Sequence, residues 1–244
     1  PLAFSHMYLA CLELTAFVVG AVSGVYVLLG RHAGFFLRTF KFAALAAVVL
    51  APLQALVGDL NGQEIGRIQP AKVAAIESHW NTNKPGTGAA WHVVAWPDPE
   101  AERNVFAISI PDVLSLLITH NPTGTVPGLK DFPKHDRPPI VLPFYSFRLM
   151  VGVGTAMVAV MAWTILLWRR GRLAVERAGE NRLLFMSWAL LAPGAYVAVI
   201  MGWVTREVGR QPWLAYGLIR TENGHSALSA GEVGLSLAGF CLAY

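Results

Sequence analysis

The sequence predicts an all-α protein: a polytopic transmembrane helical bundle, four full spans plus a truncated fifth, with a long extracytoplasmic loop between spans two and three. Three observations carry this reading. Of the 244 residues, 55% are hydrophobic and only 14% charged, where soluble domains carry about 25% charged residues; mean hydropathy is +0.48. Four apolar runs each reach the roughly 20 residues that a helix needs to cross a bilayer. The basic residues concentrate in short links between those runs, the pattern of cytoplasmic connections.

The first run is Leu2 to Leu29, interrupted only by His6 and Glu13. The second is Phe35 to Val57, with Arg38 and Lys41 near its start. The third, Ile140 to Trp168, carries one charge, Arg148. The fourth, Leu183 to Val204, carries none. A fifth begins near Val233 and stops at Tyr244. The links Arg31 to Lys41 and Arg169 to Arg182, the latter with five Arg against two Glu, belong on the cytoplasmic side. The N-terminal end, the segment Asp59 to Pro139 and the stretch TREVGRQPW (Thr205 to Trp213) then lie outside. The chain divides into two helices over 1–58, an outer loop over 59–139, and the remaining helices over 140–244. Both ends fall inside apolar runs, which predicts a piece of a longer membrane subunit.

The outer loop is too long for a plain connector, and loops of that length are usually functional. Within it, PAKVAAIESHW (Pro70 to Trp80) predicts a short helix, with Pro at its first position as helices favour. NVFAISIPDVLSLLI (Asn104 to Ile118) reads as a second helical or extended piece. The net charge of +4 sits in links between apolar runs, so it argues against nucleic acid as a partner. Cys11 and Cys241 both lie in apolar segments, which argues against a disulfide framework and against a zinc site.

Ionisable groups at membrane depth are functional candidates. His6 and Glu13 are seven residues apart, two helical turns, and share a face. Met150 lies about ten residues inside the third run, roughly 15 Å from its outer end at the helical rise, so His6 and Met150 can meet in the outer half of the bilayer. His and Met form an axial pair for electron-transferring haem, and Arg148 could hold a propionate. An interfacial His and a core Met fit the same spacing. Glu207 closes the fourth run, with Trp203 one turn before it and Arg210 three residues after. It suits a carboxylate ligand to ferric iron or a solvated helix end. Lys72 and Glu77 are five apart and point in different directions. A carboxylate there could accept a proton from an amphiphilic substrate, although spacing alone favours a solvated surface helix.

Taken together and in order, these stretches resemble subunit I of the cytochrome bd-type ubiquinol oxidases. GRQPW with the preceding Glu207 resembles that family's signature. FSHMYLA at Phe4 resembles the helix carrying the His ligand of its low-spin haem b. GDLNGQ at Gly58 and QPAKVAAIE at Gln69 resemble the start of its quinol-binding loop. FAISIP (Phe106 to Pro111) and FYSFRLMVGVG (Phe144 to Gly154) resemble the later loop and the Met-bearing helix. The resemblance spans the whole chain.

It implies that His6 and Met150 ligate low-spin haem b with Arg148 beside it, and that Glu207 ligates a high-spin haem b with Trp203 and Arg210 as neighbours. It implies that Lys72 and Glu77 serve quinol oxidation. Glu13 is left open between a propionate contact, a proton path and a hydrogen bond to another helix. A third haem, d or b, and its His ligand would lie in preceding helices absent from this chain. Further partners implied are subunit II, small accessory subunits, ubiquinol or menaquinol, and the lipid of a bacterial inner membrane. The short outer loop is similar to that of the branch containing cyanide-insensitive oxidases. Two other classes remain open at this point. One is a haem-free transporter or assembly subunit, with His6, Glu13 and Arg148 lining a path. The other is a quinol-to-haem electron-transfer fragment without oxygen chemistry.

Overall fold

The computed structural model describes residues 1–224 and 227–243. Four helices are long and apolar enough to cross a membrane: α1 (Leu2–Leu28), α2 (Ala33–Ile68), α5 (Val141–Arg169) and α6 (Arg182–Val208). Between α2 and α5 lie α3 (Pro70–Ile76), the strands β1 (Trp91–Asp98) and β2 (Arg103–Ile110), and α4 (Val113–Thr119). After α6 come the short strands β3 (Trp213–Ala215) and β4 (Ile219–Arg220), then α7 (Ala230–Ala243). Each strand pair is antiparallel.

α1 packs against α2 and α6, and α6 packs in turn against α5. Small residues on α1 set the approach. A side chain at Gly20 would run into the Trp188 ring, and one at Gly24 would meet Phe185. Trp188 is fully buried, stacks on Phe17 at 4.4 Å between ring centroids, and meets Phe40 edge-on. Its indole N–H donates to Thr164 Oγ1 at 2.9 Å, so the largest core ring is polar-satisfied as well as packed. Large apolar side chains such as Leu45, Val49, Leu190 and Ile200 stay exposed on the outside of the bundle.

The two ends of the bundle differ in charge. At one end Lys41 sits over the Trp168 ring, and Asn181 donates to the carbonyls of Arg172 and Arg177. This is the basic end expected from the short links. At the other end gather His6, the loop from α3 to α4, and the turn after α6, in agreement with the expected alternation of helices.

The structure differs from the sequence reading in three places. α2 does not stop at Val57 but continues to Ile68, through Gly58, Gly62 and Gly66, which look like breakers. Four-residue spacing puts these glycines on one face, and two of them meet neighbours: a side chain at Gly58 would touch His6 and one at Gly66 would touch Ile118. The piece Asn104 to Ile118 splits into strand β2 and helix α4 around Pro111, because proline ends the strand ladder. The short helix at Pro70 ends at Ile76 and is not a solvated surface helix. Residues Ala71 through Trp80 are all buried, wedged between α5 and the loop segment around Leu129.

Candidate functional site

The buried α3 is the centre of the loop end. Glu77 closes it, and the next two backbone N–H groups fold back: Ser78 N–H donates to Ala75 O at 3.2 Å and His79 N–H to Ala74 O at 2.8 Å. That reverse turn aims the Glu77 carboxylate at α5. Arg148 Nη2 donates to Glu77 Oε2 at 2.5 Å, with the two side chains only 11% and 4% exposed. Arg148 Nε donates to the backbone carbonyl of His92 in β1 at 2.7 Å. Its guanidinium also lies over the rings of Phe144 and Trp91 at 4.7 and 4.9 Å. One residue of α5 thus ties α3, β1 and the bundle together, through charge-assisted bonds that are short and strong.

Burial raises the pKa of Glu77 above the usual carboxylate range, and the Arg148 charge and hydrogen bond oppose that rise. His79 and His92 are held below the usual histidine value, mainly by burial, so both are neutral near pH 7. His79 reaches the Val126 carbonyl at 3.2 Å, and His92 Nδ1 lies 2.7 Å from Ser109 Oγ. An open cavity of about 350 Å³ borders this region, lined in part by Ser78, His79, Trp80, His92, Arg103 and Asn104.

Lys72 points away from Glu77, as the five-residue spacing predicts. Its ammonium donates to Arg206 O at 3.0 Å, one of the carbonyls left without a partner at the end of α6. Burial and the Arg206 charge lower its pKa to about 8, while Glu207 works in the other direction. A side chain at Gly209 would run into the Thr205 carbonyl oxygen, while reaching only ordinary contact with Lys72 Cε and Ile76.

Glu207 sits in the last turn of α6, paired with Arg210 at 2.7 Å. Its side chain is 41% exposed. The turn beyond it is pinned: Arg210 Nη1 donates to Leu214 O at 2.9 Å, Thr221 Oγ1 donates to Gln211 Oε1 at 2.7 Å, and Arg220 lies over Trp213 while pairing with Asp136 of the outer loop. Arg206 lies 5.9 Å from the half-exposed Trp203 ring. The polar order of TREVGRQPW is therefore the order of a locked turn.

His6 lies against α2, with its Nε2 3.4 Å from the Gln54 amide and its ring against Gly58. Its Nδ1 is buried and, among the described residues, has no hydrogen-bond partner. Met150 lies against α6, where a side chain at Gly202 would sit 3.1 Å from its sulfur. Arg148 Nη1 and Arg210 Nε are likewise buried without partners among the described residues. Glu13 is buried on α1, and among the described residues no side-chain hydrogen bond or ion pair reaches it.

Sequence reasoning missed Trp91, His92 and Asn104, which complete the surroundings of Glu77. Trp91 and His92 lie in a stretch with no element expected, Asn104 opens the piece expected to be helical or extended, and no spacing relation connects them to α3. Gln54 and Gly58 were also missed as the neighbours of His6. The four-residue glycine spacing was their only signal.

The family described as cytochrome bd terminal oxidase subunit I matches residues 1–244 of this chain. The chain is 29% identical to the cytochrome bd-II ubiquinol oxidase subunit 1 of Escherichia coli (strain K12), over 96% of this chain and 57% of that protein. It is 30% identical to the cytochrome bd ubiquinol oxidase subunit 1 of Bacillus subtilis (strain 168), over 99% of this chain and 52% of that one. Among solved structures, the bd oxidase from Geobacillus thermodenitrificans superposes with a TM-score of 0.81 at 30% identity, covering 98% of this chain and 53% of the other. The chain thus spans about half the length of the curated relatives it matches.

Proposed function

Since the chain belongs to the cytochrome bd terminal oxidase subunit I family, we propose that it is the quinol-oxidising part of a bd-type quinol:oxygen oxidoreductase in a bacterial inner membrane. The observation that carries this is the Glu77–Arg148 pair, buried where the outer loop meets the membrane helices. A carboxylate with a raised pKa is a suitable base for a proton from a quinol hydroxyl, because general bases work best near the working pH.

Oxidation of a quinol to a quinone releases two protons and two electrons. Glu77 takes a proton from one hydroxyl, and Arg148 keeps the carboxylate oriented for it. Lys72, protonated below about pH 8, has donors left after its bond to Arg206 and holds a quinol oxygen. The second proton leaves toward the open cavity lined by His79 and His92.

Haem, when bound, supplies the one-electron acceptors for this reaction. The residues suit it. His6 offers a ring nitrogen without a partner, and Met150 offers a thioether beside a glycine, a His/Met pair that favours electron transfer. Arg148 and Arg210 each retain a buried N–H free for a propionate. Glu207 would supply the carboxylate ligand of a high-spin haem b, with Trp203 one turn before it on α6. Oxygen reduction, with a third haem of type d or b, falls to the rest of subunit I, assembled with subunit II and small accessory subunits. The quinol is ubiquinol or menaquinol.

The test uses the full-length subunit assembled with its partners. His6→Ala removes the low-spin b-type band from the reduced-minus-oxidised visible spectrum. Glu77→Gln keeps that band but lowers quinol-driven oxygen uptake by about 10²-fold or more. A Glu77→Gln protein that oxidises quinol at the parental rate contradicts the assignment.

A further inference from the structure

The turn that aims Glu77 is built on a residue unsuited to it. Ser78 has φ +51, in the left-handed region where a helix-ending turn usually places glycine. A side chain there is strained, yet Ser78 is completely buried, so something outside the turn must hold it. Asn104 of β2 does so with its whole amide group. Its Oδ1 accepts from Ser78 Oγ at 2.6 Å and from Trp80 Nε1 at 3.0 Å, and its Nδ2 donates to Ser78 O at 3.1 Å. These bonds hold the left-handed residue itself and the residue two positions after it. Glu77 lies one residue before the clamp, with its carboxylate on Arg148.

We propose that Asn104 is a positioning residue for quinol oxidation: the outer hairpin, through this one amide, fixes the left-handed turn that presents Glu77 to the substrate. The inference rests on the reading of Glu77 as the proton acceptor. It assigns a task to the β1–β2 hairpin, whose second strand is otherwise almost entirely exposed and contributes little to the core. The charged and titratable groups around the turn are Arg148 from α5, His92 from β1, Arg103 from β2, Asp131 from the segment packed on α3, and His79 from the turn itself; Lys72 faces α6. None of these is removed by changing Asn104, so a changed pH profile reports the position and hydration of Glu77.

The experiment compares Asn104→Ala, Asn104→Ala with Ser78→Gly, and Glu77→Gln in the full-length, haem-loaded oxidase. Asn104→Ala is expected to lower kcat for quinol oxidation about tenfold, in line with the sensitivity of catalysis to small misplacements. It also moves the acid limb of the pH–rate profile to lower pH, because a loosened turn admits water and relieves the burial that raises Glu77's pKa. Adding Ser78→Gly restores both, since glycine holds the left-handed turn unaided. Amide hydrogen exchange over residues 77–80 should quicken in the single variant and recover in the double. The clamp is overturned by unchanged exchange and kinetics in Asn104→Ala. It is equally overturned by a loss that Ser78→Gly does not recover, which would mark Asn104 as a general contributor to folding. Parental activity in Glu77→Gln, with exchange still responding to Asn104, would remove the role of Glu77 and leave the clamp as architecture only.

Discussion

Replacing Arg148 with Met should destabilise the protein by an amount that depends on pH. Met keeps most of the side-chain stem, so the change removes the guanidinium and little packing volume. The lost contacts are the 2.5 Å bond to Glu77, the 2.7 Å bond to His92 O, and the stacking on Phe144 and Trp91. Removing one partner of a buried ion pair costs about 3–5 kcal/mol, because the other charge is left buried and unpaired. Glu77, 4% exposed, is that other charge. It can escape the penalty by binding a proton. Burial already raises its pKa and Arg148 opposes the rise, so without Arg148 the folded-state pKa moves higher still.

A group whose folded pKa lies above its unfolded value adds stability that is fully present below the unfolded pKa and is lost as pH rises through the folded one. The deficit of Arg148→Met is therefore smallest at acid pH, where Glu77 is neutral in both states. It grows as pH rises through the parental folded pKa, already above the ordinary carboxylate range, toward the higher folded pKa of the variant. Glu77→Gln carries no titrating carboxylate, so in that background Arg148→Met should show a nearly pH-independent cost, and the two changes should couple by about 1–3 kcal/mol. Thermal unfolding of the four proteins in detergent, from acid to neutral pH, reads all of this. A deficit that is equal at every pH, or two effects that simply add, would refute the reasoning.

Lys72 titrates in the opposite sense. Its folded pKa of about 8 lies below the ordinary 10.5, so its stabilising contribution is present above the unfolded value and is lost as pH falls through about 8. Relative to Lys72→Met, the parental protein should gain up to about 3 kcal/mol between those limits, seen as a diverging pair of melting curves. Gly58→Ala brings a methyl to 3.0 Å from the His6 ring, and Gly202→Ala brings one to 3.1 Å from the Met150 sulfur; each should shift or weaken the low-spin haem spectrum, whereas Gly62→Ala, which meets nothing, should not. Thr205→Val removes the buried bond to Ser146 Oγ between α5 and α6, 3.0 Å long. It should lower stability by about 1–2 kcal/mol in thermal unfolding while leaving the spectrum unchanged.

How much of this was legible beforehand can be judged element by element. The spans follow from hydropathy alone, because a helix in lipid must be apolar along its length and satisfies its own backbone. The basic links follow from charge segregation. The order of His6, Lys72, Glu77, Arg148, Met150 and Glu207 followed from local motifs, each readable in a few residues. The divergence of Lys72 and Glu77 came from helical geometry, and the structure sends one to α6 and the other to α5. The extent of α2 was not legible, because the glycines that look like breakers are spaced to let neighbours approach.

The burial of α3 was also beyond the sequence. PAKVAAI is a single short turn-rich helix with a lysine in it, and nothing local says whether its alanines face water or protein. The decisive contacts are long-range. Arg148 meets Glu77 across 71 positions, Lys72 meets Arg206 across 134, and Asn104 meets Ser78 across 26. The sequence by itself determined the membrane bundle, its spans and the candidate groups, because hydropathy, charge placement and helical spacing are properties of neighbouring residues. Only the tertiary structure decided which of those groups share a buried site, because burial and ion pairing depend on what the rest of the chain brings alongside.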